Sequence, residues 1–495
     1  MSTLAQTIKT ISRTFDNFTS RGGGIKMWPY QLEPAKAILD SVFHNKGMTI
    51  VLIISRQAGK DELLANLIAY LLNLFAHREV GIVVANPTYK PQTENSLLRL
   101  ENRLNANLLT KAFWKKRAGY MRRIGMAIVY YLSGDAEAKV VGATASKLLV
   151  INEAQDITPS KYDKDFAPMT AYTNATRLIV GTEWTSNTLL AREEDQAKQL
   201  QEQDGIRRLF RYTSEDVRKC NKNYGAFVDN EIKKLGRQHP LVKTQYFCER
   251  IDAQANLFNA GRRALMLGDQ PAQEAPIPGR IYAFLIDVGG QDEVTIELDG
   301  MGNPGRDYTT RDIVDVDLSS LEDLLAPTYR VVNRKSWQGI NHLTVFGQIK
   351  SDVNLWNPLY IVQDATGVGE GLWAMTAKAF PTKVIPLKFS AQVKSELGYG
   401  FLAVIDTGRF KDCASSVEID LQYANCTSEI LIGPTKTMRW GVKDGSRGPD
   451  GELIHDDFIV ADAMTSELDK LGWMIGSDTL VVQAVDPLKE MSRIH

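Results

Sequence analysis

Two short stretches of this 495-residue chain carry residue types suited to phosphate chemistry. The first, Ser-Arg-Gln-Ala-Gly-Lys at 55–60, follows the apolar run Ile50–Ile54 and precedes a helical pattern of leucines. A buried strand, a tight turn and a helix N-terminus aim free backbone N–H groups at a phosphate chain. Lys60 would then reach the terminal phosphates. The alternative interpretation is a strand–helix turn that ends in a surface lysine.

The second stretch, Lys147–Asp156, has four apolar residues followed by Asn152 and Glu153. A strand of this kind delivers carboxylates to the phosphate edge of a parallel sheet, as a Walker B strand does. Glu153 would orient or deprotonate the attacking water. The alternative is a buried strand capped by a polar pair.

Three positions depart from the usual patterns of these motifs. Ile54 stands where a phosphate-binding loop usually has its first glycine, and Asp61 stands where a Ser or Thr hydroxyl usually contacts magnesium. Asn152 replaces the usual Walker B aspartate. We hypothesise that Asp61 and Asn152 compensate for each other, because a carboxylate lost on one side of the magnesium is gained on the other.

Two further segments suit a nucleotide site. Thr182 follows the apolar run Leu178–Gly181, where its hydroxyl would sense a γ-phosphate or simply form a turn. Trp28 and Gln31 precede an amphipathic helix, and they would stack on and hydrogen-bond adenine or begin that helix with a tryptophan staple. Alternating strands and helices predict a mostly parallel, three-layered α/β sheet with its site at the carboxyl ends of the strands.

A basic segment with interleaved aromatic residues lies at Lys111–Arg123. It is compatible with contacts to a nucleic-acid backbone, and a solvated charged face is the alternative. Arg122 or Arg123 would instead reach a neighbouring subunit's nucleotide as an arginine finger. The sequence does not choose among these interpretations.

After the proline-rich segment Pro271–Gly279, which reads as a linker, three carboxylates stand at element boundaries. Asp287 and Asp364 each end an apolar strand, and Asp457 begins a helix whose apolar stripe it shares with Ala461, Met464 and Leu468. Asp456 is the expected helix N-cap. Together the three carboxylates would hold two divalent ions for phosphodiester hydrolysis, and Mg²⁺ or Mn²⁺ suits oxygen ligands. Each aspartate alone reads more simply as a cap or loop residue. A further strand is predicted at Val294–Leu298.

Composition limits the kinds of partner, metal site and cellular compartment that suit this chain. A net charge of −1 means that any contact with nucleic acid depends on a local basic groove. The four cysteines form no CxxC pair, which argues against a structural zinc site and a disulfide framework and favours a reducing intracellular setting. The N-terminus lacks the apolar core of a signal peptide, and the longest apolar run is too short to span a bilayer. We therefore expect a soluble protein.

Taken together and in order, these motifs resemble the large terminase subunit of tailed bacteriophages, from about Trp28 to Lys470. The resemblance is carried by Trp28–Gln31, Ser55–Lys60, Leu148–Gln155, Gly181-Thr182, Asp287-Val-Gly-Gly, Asp364-Ala-Thr-Gly and His455-Asp456-Asp457. It implies an N-terminal P-loop ATPase of the additional-strand type and a C-terminal RNase H-like nuclease.

The predicted organisation is a flexible arm at 1–24, a P-loop ATPase core at 25–188, a lid or accessory helical subdomain at 189–256, a linker at 257–279, an RNase H-like nuclease domain at 280–474 and a C-terminal tail at 475–495.

The resemblance also implies roles for individual residues. The catalytic set is Lys60, Glu153, Asp287, Asp364 and Asp457. The nucleotide and magnesium contacts are Gln31, which would read adenine, and Arg56, Gln57, Gly59, Lys60, Asp61, Asn152 and Thr182. Gly181-Thr182 would be the coupling motif. The nuclease metal ligands are Asp287, Asp364 and Asp457, with Asp456 beside them.

The implied activity is ATP-driven translocation of double-stranded DNA into a procapsid, with metal-dependent cutting of concatemeric DNA. The implied cofactors are ATP and Mg²⁺, with Mn²⁺ as an alternative at the nuclease. The implied partners are the portal protein, the small terminase subunit and further copies of the chain in a pentameric ring. The protein would work in the host cytoplasm, docked transiently on the procapsid and absent from the mature virion. The rival interpretations are a host-type helicase-like ATPase–nuclease and a non-catalytic nucleotide sensor.

Overall fold

The computed structural model describes residues 2–138, 140, 142–252, 254–290, 308–413, 416–431, 433, 435–449 and 451–473. The chain divides into two compact units. The first comprises Met1–Asp229, Pro240–Ala253 and Ile432–Lys436, and the second comprises Asn230–His239, Gln254–Leu431 and Thr437–His495. The predicted strand at Val294–Leu298 and the tail at 475–495 lie outside the described residues.

The first unit is built on a sheet of eight strands. In chain order these are β1 (Thr49–Ile54), β2 (Val80–Asn86), β3 (Trp114–Ala118), β4 (Met121–Ile124), β5 (Ala127–Ser133), β6 (Leu148–Asn152), β7 (Thr176–Gly181) and β8 (Leu209–Tyr212). The spatial order is β3-β4-β5-β2-β6-β7-β1-β8. All neighbours from β5 to β8 are parallel, and β3 and β4 extend one edge as an antiparallel hairpin.

The order of the central strands confirms the predicted additional-strand type, because β7 lies between β1 and β6. Each of these strands reads as a near-continuous apolar run, as expected where helices cover both faces of a parallel sheet. Val51, Leu149 and Ile179 contribute one side chain from each strand to the same buried core. The carboxyl ends of β1, β6 and β7 therefore meet at one edge.

The α-helices up to residue 253 are α1 (Ser2–Ser12), α2 (Phe15–Asn17), α3 (Pro29–Phe43), α4 (Lys60–Leu74), α5 (Glu94–Ala106), α6 (Pro159–Lys161), α7 (Leu189–Asp204), α8 (Ser214–Cys220), α9 (Lys222–Leu235) and α10 (Pro240–Gln245). Helices α3, α4, α7 and α8 contact strands of this sheet. No helix among the described residues has the length and apolar character needed to cross a membrane.

Two predictions about this region are wrong. The segment 1–24, predicted as a flexible arm, is largely helical, and Phe15 and Phe18 pack against the ring of Tyr70. The segment 189–256, predicted as a separate lid or accessory helical subdomain, contributes β8 to the main sheet beside β1. In both cases, burial against partners distant in sequence decides the conformation.

The second unit contains a sheet of six strands and a sheet of three. Its strands are β9 (Gln254–Asn256), β10 (Tyr282–Asp287), β11 (Tyr308–Asp317), β12 (Thr328–Gln338), β13 (Tyr360–Asp364), β14 (Val384–Leu387), β15 (Phe410–Lys411), β16 (Cys426–Ile430) and β17 (Met438–Val442). The six-stranded order is β14-β13-β10-β11-β12-β15, with β10, β11 and β12 antiparallel and β13 and β14 parallel to β10. This mixed arrangement is that of an RNase H-like sheet and confirms the predicted fold class.

The remaining helices are α11 (Ala260–Met266), α12 (Leu321–Leu324), α13 (His342–Trp356), α14 (Gly369–Ala379), α15 (Ala391–Asp406), α16 (Val417–Asn425), α17 (Asp457–Ala463) and α18 (Thr465–Leu468). The segment 257–279, predicted as a linker, is part of this unit. It contains α11, and the Gln273 N–H donates a hydrogen bond of 2.8 Å to the Val332 carbonyl on β12. The proline-rich segment is therefore hydrogen-bonded to β12 of the sheet rather than a free connection.

Candidate active sites

The turn after β1 adopts a conformation that few residues tolerate. Gln57 has φ 59° and Gly59 has φ 81°, both in the left-handed region. A Cβ on Gly59 would lie 2.7 Å from Nε2 of Gln31, so glycine also leaves room for that side chain. The turn places Lys60 at the first position of α4, where backbone N–H groups have no partner within the helix.

Residues at the start of α3 hold this turn from one side. The Tyr30 hydroxyl donates to the Ala58 carbonyl at 3.0 Å, and Nε2 of Gln31 donates to the Gly59 carbonyl at 2.9 Å. Oε1 of Gln31 accepts a 2.9 Å hydrogen bond from the Trp28 N–H. Gln31 therefore supports the turn at Ser55–Gly59 and the N-terminus of α3, and its reading of adenine stays a prediction.

Arg56 is held from the other side by α9 and α10. Its Nη1 donates to Oε1 of Gln245 at 2.6 Å, and its backbone N–H donates to the Gln245 carbonyl at 2.7 Å. The Tyr224 hydroxyl donates to the Arg56 carbonyl at 2.8 Å. The arginine is thus anchored through its backbone, while its exposed side chain is held by a neutral amide.

Lys60 and Glu153 form an ion pair with Nζ and Oε1 2.6 Å apart. The two motifs converge because only β7 separates their strands. Glu153 itself has φ 52°, so the chain turns sharply as it leaves β6. Burial raises the pKa of Glu153, but the charge of Lys60, the hydrogen bonds from Lys60 and Gln155 and the charge of Lys436 together outweigh that effect and hold the pKa below its usual value.

Asp61 and Asn152, the two departures from the usual motifs, face each other. Nδ2 of Asn152 lies 3.4 Å from Oδ1 of Asp61 and donates at 2.9 Å to Oδ1 of Asn86. Oδ1 of Asn152 is buried and has no hydrogen-bond partner. A cavity of about 520 Å³ borders all three residues. A carboxylate and an unpartnered amide oxygen are donors that Mg²⁺ accepts, so the residues present fit a divalent ion here.

Thr182 closes the opposite side of this edge. Its hydroxyl donates to the Ile54 carbonyl at 3.2 Å, and its N–H donates to Oε1 of Gln155 at 3.2 Å. A second cavity, of about 210 Å³, is lined by Arg56, Gln92, Glu153, Gln155, Asp156, Thr182, Gln245 and Lys436. Five of these residues were not predicted: Gln92, Gln155, Asp156, Gln245 and Lys436. Gln155 stood within the recognised motif and Asp156 directly follows it, whereas no local pattern points to the other three.

Arg122 is not available as an arginine finger. Its side chain is 4% exposed and its Nη2 pairs with Oε1 of Glu101 at 2.5 Å. Its Nη1 also donates to the carbonyls of Ala118, Gly119 and Met121. That prediction is wrong because β4 turns Arg122 inwards, whereas Arg123 on the same strand is only partly buried and stays a candidate.

In the second unit, β10 and β13 bring two of the predicted carboxylates to one sheet edge. The strands are parallel neighbours with Ile286 opposite Gln363, so Asp287 and Asp364 end them side by side. Asp457, at the start of α17, accepts a 2.9 Å hydrogen bond on Oδ2 from the Tyr308 N–H at the beginning of β11. Because β11 pairs with β10, this contact places Asp457 at the same edge.

The charges of neighbouring carboxylates affect the pKa of Asp287 electrostatically. Burial raises the pKa of Asp287 well above its usual value, and the charges of Asp457, Asp364 and Asp456 raise it further. Burial also raises the pKa of Asp364, against the hydrogen bond from Thr366. Across the described part of the chain, no three His, Cys, Asp or Glu side chains close around one point at metal-binding distance. The acids are gathered, but they do not form a closed ligand set.

Asp456 occupies the predicted N-cap position of α17 without making a side-chain capping bond. Its Oδ2 lies 3.5 Å from Nζ of Lys394 instead. Every residue of α17 is buried, so the stripe shared by Asp457, Ala461 and Met464 does not distinguish one face of this helix. The position of Asp457 in the first turn, beside β11, directs it towards Asp287.

The fold and the sites define a chain with a P-loop unit of the additional-strand type and an RNase H-like unit. Residues 325–430 match the family model of the terminase RNaseH-like domain. That match confirms, over this segment, the resemblance to large terminase subunits predicted from the sequence. No sequence match to a curated protein was found.

Solved structures show further likenesses. The large terminase of a thermophilic bacteriophage has 10% sequence identity, covers 89% of this chain and 98% of its own, and gives a TM-score of 0.48. The HK97 bacteriophage large terminase has 13% identity over 92% of this chain and 100% of its own, with a TM-score of 0.40. The large terminase nuclease of the thermophilic phage G20c, with bound magnesium, has 18% identity over 43% of this chain and 96% of its own, with a TM-score of 0.31. Such identities and scores do not by themselves establish a shared activity.

Proposed function

We propose that this chain is the large subunit of a phage genome-packaging motor, which hydrolyses ATP to translocate double-stranded DNA and cuts that DNA with a metal-dependent nuclease. The observation that carries the proposal is that one chain holds two candidate catalytic sites, each on a fold of its own. One is the Lys60–Glu153 pair on a P-loop sheet, and the other is Asp287 among carboxylates on an RNase H-like sheet. The match of residues 325–430 to the terminase RNaseH-like domain supports the same function.

In the ATPase, the turn at Ser55–Gly59 and the N-terminus of α4 would receive the phosphates. Lys60 would leave Glu153 and neutralise charge on the β- and γ-phosphates. Glu153, released from Lys60 and still hydrogen-bonded to Gln155, would then orient the water and take its proton during in-line attack. Asp61 and the free oxygen of Asn152 would hold Mg²⁺, which neutralises charge developing on the phosphates.

In the nuclease, Asp287, Asp364 and Asp457 would hold divalent ions, with Asp456 beside them. Mg²⁺ or Mn²⁺ would supply an activated water and stabilise the leaving oxygen. The pKa of Asp287 is raised first by burial and then by the charges of Asp457, Asp364 and Asp456, and a cation at this edge would offset both effects. The Tyr308 N–H and the Thr310 hydroxyl hold Asp457 through its carboxylate and its carbonyl, at 2.9 and 3.3 Å respectively.

Translocation requires a grip on the DNA backbone that does not depend on base sequence and weakens as salt increases. The exposed strand β3, with Lys115, Lys116 and Arg117, is one candidate for that contact. The motor would act as a ring, with five copies the expected number. It would work with the portal protein and the small subunit, on a procapsid in the host cytoplasm.

The deciding experiment compares ATP turnover of the full chain without DNA, with duplex DNA and with single-stranded DNA. Duplex DNA should stimulate turnover most, and addition of procapsids should make duplex DNA resistant to an added nuclease. Stimulation by single strands alone would favour a helicase-like repair enzyme. Nucleotide binding without turnover, even with DNA and portal present, would favour a non-catalytic sensor.

A further inference from the structure

The side-chain amide of Gln155 bridges two parts of the ATPase site. Its Nε2 donates to Oε2 of Glu153 at 2.7 Å, and its Oε1 accepts from the Thr182 N–H at 3.2 Å. Gln155 is 2% exposed, so neither bond competes freely with bulk water. Nε2 also lies 3.2 Å from Oδ2 of Asp156.

The chemistry of the neighbours fixes the orientation of this amide. The backbone N–H of Thr182 can only donate, so the atom that faces it must be the carbonyl oxygen of Gln155. The ionised carboxylate of Glu153 can only accept, so the atom that faces it must be the NH₂ group. A glutamate at position 155 would place a second carboxylate against Glu153, and an alanine would remove both bonds.

Gly181, at the end of β7, packs closely against the side-chain amide of Gln155. A Cβ on Gly181 would lie 2.2 Å from Oε1 of Gln155 and 2.9 Å from Cδ2 of Leu190. The backbone of Gly181 is regular strand, so the requirement for glycine at this position comes from packing against these side chains. Thr182 is itself held against β1 through its hydroxyl bond to the Ile54 carbonyl.

The carboxylate of Glu153 is held by Lys60 and by Gln155, and nucleotide binding should affect these two contacts differently. Lys60 holds Oε1 at 2.6 Å, but a bound phosphate chain competes for the same ammonium group. Gln155 holds Oε2 from the other side through a neutral amide. A phosphate attracts that amide less strongly than it attracts the ammonium group of Lys60. When Lys60 moves to the phosphates, the amide of Gln155 remains to aim the carboxylate.

We propose that Gln155 is a positioning residue that ties the water-activating carboxylate of Glu153 to the end of β7 at Thr182. A shift of Thr182 in response to the γ-phosphate is then transmitted through one amide to Glu153. This inference rests on the proposed ATPase function, because it assigns the residue that orients the general base of that reaction.

The test measures ATP turnover and nucleotide affinity for Gln155→Glu and Gln155→Ala in the full chain. We expect kcat to fall roughly 10- to 100-fold in both variants, within the range that a correctly placed general base contributes. The Kd for ATP should stay within about twofold, because the hydrogen bonds of Gln155 go to Glu153, Asp156 and Thr182 and leave Lys60 and the turn at Ser55–Gly59 in place. The matched control is Gln203→Glu, the same chemical change at an exposed position of α7.

Two further readouts separate positioning from general damage to the fold. Gln155→Glu should move the acidic limb of the kcat–pH profile to higher pH, because a second carboxylate raises the pKa of Glu153. Gln155→Ala should move it less in the same direction, because a hydrogen bond that lowers this pKa is lost, and Gln203→Glu should not move it. Gly181→Ala should lower kcat in the natural chain but have a smaller effect when Gln155 is already alanine, because that change removes the 2.2 Å conflict and leaves the 2.9 Å approach to Leu190.

The outcomes distinguish the inference from the function on which it rests. If the natural chain shows no ATP turnover with DNA and portal present, both are overturned. If the natural chain turns over ATP and Gln155→Glu keeps kcat within twofold, only the inference is overturned. Additive effects of Gly181→Ala and Gln155→Ala would also overturn it.

Discussion

Asp61 and Asn152 lie opposite each other at the mouth of the P-loop, with Oδ1 of the first 3.4 Å from Nδ2 of the second. Each departs from its usual motif, and the departures are opposite in charge: one adds a carboxylate and the other removes one. The remaining oxygen of Asn152 is buried and unpartnered. Their proximity supports the hypothesis that Asp61 supplies the carboxylate that Asn152 lacks.

Replacing Asp61 by serine should therefore reduce ATP turnover, because the site loses a carboxylate that would hold Mg²⁺. We expect a fall of roughly tenfold or more, equivalent to about 1.4 kcal/mol of transition-state stabilisation. Adding Asn152→Asp to the same chain should recover much of the rate. Steady-state turnover across a Mg²⁺ titration measures both effects. An Asp61→Ser chain that hydrolyses ATP at the natural rate would refute the exchange.

Replacing Glu153 by glutamine should separate nucleotide binding from hydrolysis. The change removes the base that takes the water's proton, so kcat should fall by about 10²–10⁴-fold. Affinity for ATP should not weaken, because Lys60 is released from a 2.6 Å ion pair that competes with the phosphates. Titration with a fluorescent ATP analogue and phosphate-release assays measure the two quantities. Equal loss of binding and turnover would contradict the assigned role.

Replacing Asp364 by alanine should abolish DNA cutting and leave ATP hydrolysis intact, since Asp364 belongs to the acidic edge of the second unit. Plasmid cleavage with Mg²⁺ or Mn²⁺ and ATP turnover should be measured on the same preparation. Asp323→Ala, at an exposed position of α12 in the same unit, is the matched control. Simultaneous loss of both activities would argue against two separate sites.

The raised pKa of Asp156 predicts that the stability of the first unit depends on pH. Burial raises the pKa of Asp156 to about 6, and Glu153 contributes in the same direction against Lys436 and Lys60. Between about pH 4 and 6 the folded chain therefore binds more protons than the unfolded chain, and stability falls as the pH rises through this window.

Asp156→Asn should remove that cost. At pH 7 the variant should be more stable than the natural chain by on the order of 2 kcal/mol, and the difference should vanish by about pH 4, where Asp156 is protonated in both states. Denaturant unfolding at a series of pH values from 4 to 7 measures the difference. A stability difference between the two chains that is the same at pH 4 and pH 7 would contradict the raised pKa of Asp156.

The sequence by itself determined the elements and the residue types at their ends. Uninterrupted apolar runs specify β1, β6, β7, β10 and β13, because strands buried on both faces exclude polar side chains. The residues that leave those strands, such as Lys60, Glu153 and Asp364, are therefore at the sheet edge by local pattern alone. Knowledge of the parallel order then brings Lys60 and Glu153 to the same edge.

Only the tertiary structure decided which side chains meet. The contact between Asp61 and Asn152, the bridge through Gln155 and the inward turn of Arg122 depend on neighbours distant in sequence. Phe18 shows the same limit, since a helix that looked like a mobile arm is ordered by packing against Tyr70. Periodicity fixes backbone conformation over a few residues, whereas burial and hydrogen bonding depend on what the rest of the chain places opposite each side chain.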